Sequence, residues 1–349
     1  MIRKAAYARG ALIGNPSDGY FGKTIALTFT NFRADVVLYE TPDLEILPNR
    51  RDHSRFNGIA ELARDVKSFG YYGGIRLLKA CVKKFHDYAT RQGHPLHNRN
   101  FTLHYTSDIP HQVGLAGSSA IITACIRCLM EFYELAIPHP ELANIILSVE
   151  TEELGIAAGL QDRVAQVYGG LVYMDFDRET IQKQGFGRYE PLDPATLPPL
   201  YIAYRRDLAE GSEIVHNNLR QRFNQNDPAV LDAIRFWADL TDKARACLLA
   251  NEGYKLGELL NANFDRRAAL YDVGEGNRTM VEAARRTGAS AKFTGSGGAI
   301  IGTYEDETML QALKQALAAV RCEVLQPSIS PPIPDFFGKV ENRKSKIEI

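Results

Sequence analysis

The stretch Pro110-His111-Gln112-Val113-Gly114-Leu115-Ala116-Gly117-Ser118-Ser119-Ala120 combines glycines, two adjacent hydroxyls and the start of an apolar run. Glycines let backbone N–H groups approach an anion, and a helix beginning there adds unpaired donors and a favourable dipole. The serines can donate to phosphate oxygens, and one can reach a bound Mg2+. Phosphate binding is the chemistry such a loop serves; a glycine–serine helix cap is its plain alternative. No Gly-Lys-Ser/Thr follows, and the Gly-x-Gly-x-x-Gly fingerprint is not matched, so the P-loop and dinucleotide readings do not apply. Two carboxylates come later: Glu150, within Glu150-Thr151-Glu152-Glu153, and Asp162, within Gly159-Leu160-Gln161-Asp162. Glu150 is either a ligand for a hard cation or part of an exposed helix face. Asp162 is either a reactive acid or a helix N-cap before Arg163-Val164-Ala165-Gln166. Two more segments are rich in turn formers, Gly14-Asn15-Pro16-Ser17-Asp18-Gly19-Tyr20-Phe21-Gly22 and Thr294-Gly295-Ser296-Gly297-Gly298. The first is longer than a tight hairpin needs, as functional loops often are; the second reads equally as a hairpin turn.

These groups need elements to hold them. Alternation and β-branched content predict strands over Ala5–Ile13, Thr24–Phe32 and Ala34–Glu40. A helix is expected over Gly73–Arg91, a short strand over Phe101–Tyr105, and a very apolar helix from the Gly/Ser turn to about Leu135. Leu142, Ile145, Ile146 and Val149 share one face of a helix over Pro138–Leu154, stopped by Gly155. Leu171–Phe176 reads as a buried strand, and the proline-rich Gly185–Pro199 as a linker. A second unit then starts with strand Leu200–Tyr204 and carries helices over Pro228–Asn251, Tyr254–Tyr271 and Asn277–Thr287. Strands Ala289–Phe293 and Ala299–Tyr304 flank the glycine turn, and helix Glu307–Val320 and a strand over Glu323–Gln326 complete it. Strict βαβ alternation is missing, so the fold class is α+β in two lobes, with residues 1–190 in the first and 191–349 in the second. The charged end, Gly338–Ile349, reads as a solvated tail.

Composition narrows the function classes. The chain has 349 residues, with 41 basic and 42 acidic side chains for a net charge of −1. No global positive field exists to attract nucleic acid or an anionic membrane. No apolar run approaches the roughly 18 residues of a membrane span, and the first residues lack the apolar core of a signal peptide. Five cysteines, an odd count in a chain of this size, favour a reducing compartment, so a cytoplasmic enzyme is expected. Cys125 and Cys128 lie inside the apolar helix with no second pair nearby and read as packed thiols. His94-Pro95-Leu96-His97 lacks metal-ligand spacing, Trp237 reads as core, and Tyr71-Tyr72-Gly73-Gly74 is either an adenine stack or a helix-entry turn.

Taken together, the N-terminal strand-loop with its basic residue, the central Gly-Leu…Ser-Ser-Ala loop and the late Thr-Gly-Ser-Gly turn resemble the GHMP small-molecule kinases. Three blocks, Gly14–Ile25, Gly155–Gly170 and Ala291–Ala299, are similar to the branch of that family that phosphorylates the anomeric hydroxyl of D-glucuronate. The resemblance implies an N-terminal lobe like ribosomal protein S5 domain 2, a ferredoxin-like C-terminal lobe, and an active site in the cleft between them. It implies ATP and Mg2+ as cofactors and a sugar or sugar acid as the partner molecule, and leaves a homodimer open. Galactose, galacturonate or a heptose phosphate are alternative acceptors, and a non-catalytic sugar or nucleotide sensor is the alternative class.

Carried onto this sequence, the resemblance makes Asp162 the general base and Arg9 its cationic partner. Gly114, Leu115, Ala116, Gly117, Ser118, Ser119 and Ala120 would bind the nucleotide, and Ser119 and Glu150 would ligate Mg2+. Between Gly114-Leu115 and Ser118-Ser119 this chain has two residues where most relatives have one, so the metal's serine is set by which of two adjacent hydroxyls takes that place. Asp18, Lys23, Gly295, Ser296, Gly297 and Arg206 would contact the substrate. A uronate carboxylate needs a cation, ideally a bidentate Arg; Arg205, Arg206, Lys23, Arg266 and Arg267 are the candidates.

Overall fold

The computed structural model describes residues 1–48, 73–208 and 213–335. Tyr71, Tyr72 and the tail from Gly338 lie outside the described residues. The first lobe is built around one long strand. Strand β1 (Ile2–Ile13) runs antiparallel to β2 (Lys23–Thr41), which then pairs with β4 (Asn100–Ser107) through its outer half and with β5 (Leu171–Asp175) through its inner half. Short β3 (Glu45–Ile46) and β6 (Arg188–Leu192) close the two edges. The expected separate strands over Thr24–Phe32 and Ala34–Glu40 are thus a single strand. A register slip opposite Tyr7 and Ala8 absorbs residues 30–32 without ending it.

Helices α1 (Gly74–Arg91), α2 (Gly117–Phe132), α3 (His139–Ser148) and α4 (Gln161–Tyr168) belong to this lobe, followed by short α5 (Arg178–Gln184), which was not expected. α2 is apolar nearly all round because it is enclosed: every residue from Ser119 to Ile126 is buried. The cysteines are free thiols, with Cys81, Cys125 and Cys128 buried. A hydrogen bond to Cys81 and then burial push the Cys125 thiol up.

Pro191, read as part of a linker, instead lies in edge strand β6, where a missing N–H is tolerated. The expected division at 190/191 therefore cuts a strand paired residue by residue with β5, and we place it between Leu192 and Leu200. Beyond it, β7 (Leu200–Tyr204), β8 (Lys292–Phe293), β9 (Ala299–Thr303) and β10 (Glu323–Leu325) form a second antiparallel sheet, ordered β10-β7-β9-β8. This fourth-first-third-second order is that of a ferredoxin-like lobe. Its helices are α6 (Glu213–Asn224), also unexpected, α7 (Pro228–Leu249), α8 (Leu256–Leu270), α9 (Glu275–Arg285) and α10 (Glu307–Ala319).

One apolar core runs through the first lobe and under α7, where Trp237 is fully buried and donates to the Asn263 carbonyl at 3.2 Å. A second lies between the second sheet and α8–α10. After β10 the chain crosses back: Thr30 N–H bonds Ser328 O at 2.8 Å, Ser330 N–H bonds Thr28 O at 2.9 Å, and Pro332 bridges Gly169. Residues 326–333 therefore lie on the first lobe, which fastens the two lobes at a point the sequence pattern did not reveal. Among the described residues no helix is long and apolar enough to cross a membrane.

Candidate active site

Arg9, in the middle of β1, is 3% exposed and draws four chain segments together. Its Nη2 donates to Asp162 Oδ1 at 2.5 Å, its Nη1 to the carbonyls of Thr294 and Gly114, and its backbone N–H to Leu115 O at 3.1 Å. Strand geometry produces this: Arg9 and Ala11 share a face of β1, and Ala11 N–H in turn bonds Thr294 O at 2.9 Å. The glycine loop at 114–117 and the glycine turn at 294–298 consequently touch. A Cβ on Gly295 would stand 2.6 Å from Gly114 O, so no other residue fits without displacing backbone.

The loop ends with Ala116 in the left-handed region (φ 61°), an uncommon conformation for alanine. It starts α2 abruptly, leaving the N–H groups of Gly117, Ser118 and Ser119 in a first turn that has no intrahelical acceptors. The two serines separate here. Ser119 is fully buried and donates to Ala116 O at 3.1 Å, whereas Ser118 donates to Glu150 Oε1 at 2.8 Å. The expectation joins Ser119 with Glu150 as Mg2+ ligands; adjacent residues on a helix point about 100° apart, and here it is the Ser118 hydroxyl that meets Glu150. Leu115 and Ala120 are buried and serve packing.

Glu150 does not lie on an exposed face; it is 2% exposed. The expected helix over Pro138–Leu154 changes at Val149 into a single π turn, Val149–Glu153, which resets the helical phase so that Val149 and Glu150 are both buried. Glu152 and Glu153 remain outside, paired with Lys84 and Lys83. The other oxygen of Glu150 takes a hydrogen bond from the nearly buried Arg163, which also reaches Asp162 Oδ2 at 3.3 Å and Gly159 O at 2.9 Å. Asp162 is the second residue of α4 rather than its cap. Gln166, one turn along, locks α4 to β1 and the loop through Tyr7 O at 3.0 Å and Ala116 O at 2.9 Å.

Asp18 joins this cluster from the 14–22 loop. Its Oδ1 accepts from Gln161 Nε2 at 3.1 Å, and its Oδ2 occupies the space that a side chain at Gly159 would need. Burial, and then the charge of Asp162, raise its pKa to about 7, with Arg9 opposing. The loop itself is anchored by residues that sequence reasoning left without a role. Lys292 Nζ donates to Ala11 O at 2.7 Å and to Asn15, and Asn263 exchanges hydrogen bonds with Gly14 N–H at 2.7 Å and Asn15 O at 3.1 Å. Burial, with Arg267 and Arg9 nearby, holds the Lys292 ammonium well below the usual lysine range. Lys292 and Arg163 stand inside blocks already quoted for their pattern; a lone buried cation there was the available signal.

The remaining expected residues go elsewhere. Lys23 is paired with Asp242 of α7 at 2.6 Å, and that carboxylate also takes the Tyr173 hydroxyl at 2.8 Å. Arg206 lies at the edge of the second sheet, salt-bridged to Glu323 at 2.8 Å and set over the Tyr204 ring, and among the described residues no contact joins it to the cluster. Arg267 is buried and holds Gly295 O at 2.8 Å and Ser296 O at 3.0 Å, so Ser296 meets the protein through its backbone. Gly297 packs against Asn277, which accepts from Gly298 N–H at 2.8 Å.

The assembled site is a backbone cradle with unpaired N–H donors, a carboxylate–hydroxyl pair beside it, and a carboxylate between two guanidiniums facing a protonatable acid. Such a set can bind a polyanion and act on a hydroxyl presented next to it. Comparison with known proteins agrees. The family model for the GHMP kinases N terminal domain matches residues 76–170, and that for the GHMP kinases C terminal matches residues 244–321. Glucuronokinase 1 of Arabidopsis thaliana is 44% identical over 306 residues, covering 86% of this chain and 84% of its own. Probable glucuronokinase 2 of the same plant is 44% identical over 303 residues, 85% and 82% of the two chains. Among solved structures, Streptococcus pneumoniae phosphomevalonate kinase superposes with a TM-score of 0.73 at 17% identity, covering 95% of this chain and all of the other. Lactococcus lactis galactokinase superposes with a TM-score of 0.71 at 18% identity, over 95% and 94%. The structural likeness establishes the two-lobed fold, and 44% identity sustained through both lobes goes further: the chain belongs to the GHMP kinase family.

Proposed function

We propose that this protein transfers the terminal phosphoryl group of ATP to the anomeric hydroxyl of D-glucuronate. The observation that carries the reading is the 44% identity to a glucuronokinase across 86% of the chain. The N–H groups at the start of α2 bind the nucleotide phosphates, aided by the backbone of Gly114–Gly117. Asp162 takes the proton from the attacking hydroxyl, and Arg9 holds that carboxylate in place while offsetting charge on the transferring group. Phosphoryl transfer depends chiefly on positioning and charge stabilisation, so the clamp of Arg9 on both glycine segments matters as much as the base.

Mg2+ fits the oxygen pair of Ser118 and Glu150, because it prefers hard ligands and takes only one or two from protein when phosphates are present. Among the described residues no group of three or more His, Cys, Asp or Glu could hold a metal, so such an ion draws its remaining ligands from nucleotide and water. When bound it neutralises charge on the phosphates. Asp18, able to hold a proton near neutral pH, both donates to and accepts from sugar hydroxyls. Coupled ADP-release rates for glucuronate, galacturonate and galactose at matched concentrations test the reading. Glucuronate is expected to turn over fastest, and an equal or higher rate with galactose overturns the uronate assignment.

A further inference from the structure

A uronate differs from a neutral hexose by a carboxylate that is ionised at neutral pH, and taking it out of water requires a cation or several N–H donors. Most basic side chains around the site are committed. Lys23 is held by Asp242, Arg205 by Asp207 through two bonds of 2.9 and 2.7 Å, Arg206 by Glu323 and Arg266 by Asp232. Arg267 is spent on the carbonyls of Gly295 and Ser296, and Arg9 and Arg163 on Asp162 and Glu150.

Arg220, on α6, differs from all of these. It is exposed, and no carboxylate among the described residues pairs with it. Its guanidinium lies over the ring of Tyr20, 4.5 Å from the centroid, and that ring is itself buried against Phe223 at 5.1 Å. One of its amino groups lies 3.3 Å from where a Cβ on Gly19 would stand, so it borders the backbone immediately after Asp18. Stacking on a fixed aromatic face orients a guanidinium while leaving its N–H edge open for a planar, two-oxygen ligand. The absence of a side chain at Gly19 keeps that edge uncovered on the Asp18 side.

We infer that Arg220 binds the carboxylate of the sugar acid and sets the preference for a uronate over a neutral hexose. This rests on the glucuronate reading above. In a pyranose the anomeric carbon and the carbon bearing the carboxylate flank the ring oxygen. The carboxylate therefore stands on the ring-oxygen side, next to the anomeric carbon, and a ring seated on Asp18 with its anomeric hydroxyl at Asp162 presents it to the Arg220 edge that borders Gly19. Arg178 offers an internal control. It too is exposed and stacks on a ring of the same loop, 4.4 Å from the centroid of Phe21, but the structure gives it no contact with Gly19.

Steady-state kinetics on Arg220→Gln, Arg220→Lys and Arg178→Gln, with glucuronate, glucose and ATP varied in turn, test the assignment. Loss of a charge-assisted bidentate contact predicts that Arg220→Gln raises KM for glucuronate by about 10- to 100-fold. KM for ATP and the rate with glucose stay within about twofold, Arg220→Lys recovers part of the loss, and Arg178→Gln resembles wild type. A wild-type enzyme that uses glucuronate while Arg220→Gln leaves its KM within twofold overturns the inference alone. So does a parallel worsening of both KM values, which marks a general disturbance of the site and not a lost carboxylate contact. A wild-type enzyme inert towards glucuronate overturns the substrate reading and this inference with it.

Discussion

Replacing Asp18 by Asn should remove a pH-dependent destabilisation that the folded protein carries without substrate. The Asp18 carboxyl rises from an ordinary 3.8 to about 7, through burial first and the neighbouring Asp162 charge second. Between those values the folded state binds a proton that the unfolded chain has released, so stability falls as pH rises through the window and levels off above it. At 1.36 kcal/mol per pH unit the full effect is roughly 4 kcal/mol. Asp18 keeps part of its surface exposed, and solvent there screens the charge, so about 2 kcal/mol is the expected share. Urea unfolding of wild type and Asp18→Asn at pH 5 and pH 8, in the absence of ligands, measures it. Part of the effect is already present at pH 5, above the unfolded pKa, so the variant's advantage should grow from under about 1 kcal/mol at pH 5 to about 2 kcal/mol at pH 8. Parallel stabilities at both pH values would refute the argument, because they would mean that Asp18 meets no low-dielectric, negatively charged surroundings in the folded state. The same substitution removes an acceptor for sugar hydroxyls and is expected to raise KM for the sugar while the protein becomes more stable, a trade common at binding sites.

Asp162→Asn should lower kcat by about 100-fold or more, the scale of a lost general base, while a fluorescent nucleotide still binds with near wild-type affinity; an unchanged kcat removes Asp162 from the reaction. Ser118→Ala should raise the Mg2+ concentration for half-maximal rate by about tenfold, as loss of one oxygen ligand or of its partner's orientation does. Ser119→Ala should leave that requirement nearly unchanged and lower the thermal midpoint instead, since among the described residues its hydroxyl bonds Ala116 O alone; the reverse pattern restores Ser119 as the metal's serine. Gly295→Ala should destabilise the protein by about 1–3 kcal/mol through overpacking, because its Cβ would lie 2.6 Å from Gly114 O. An unchanged thermal midpoint together with wild-type turnover would show that the two glycine segments are free to separate.

How far the sequence carried the reading follows from which interactions are local. The glycine loop, the start of α2 and the 294–298 turn were legible because glycine spacing and helix starts are written in consecutive residues. The alternation along β1 and the apolar run of α2 were legible for the same reason. The π turn at Val149–Glu153 was not, since nothing in a periodic acidic helix marks where its phase will slip; packing decides that, and with it the burial of Glu150. Nor did proline content reveal that residues 188–192 are an edge strand, because β5 supplies the partner that makes them one. The return of residues 326–333 to the first lobe depends likewise on backbone groups of Thr28 and Thr30 that are distant in sequence.

By itself, then, the amino-acid order marked the glycine-rich and carboxylate-bearing segments, and the α+β class that presents them. Only the tertiary structure decided which groups meet: Arg9 with Asp162, Ser118 rather than Ser119 with Glu150, Lys292 beneath the 14–22 loop, and Arg220 left uncommitted beside Gly19. The reason is that ion pairing and burial depend on distance in space, and a site drawn from several chain segments is formed by residues whose separation along the chain carries no record of that distance.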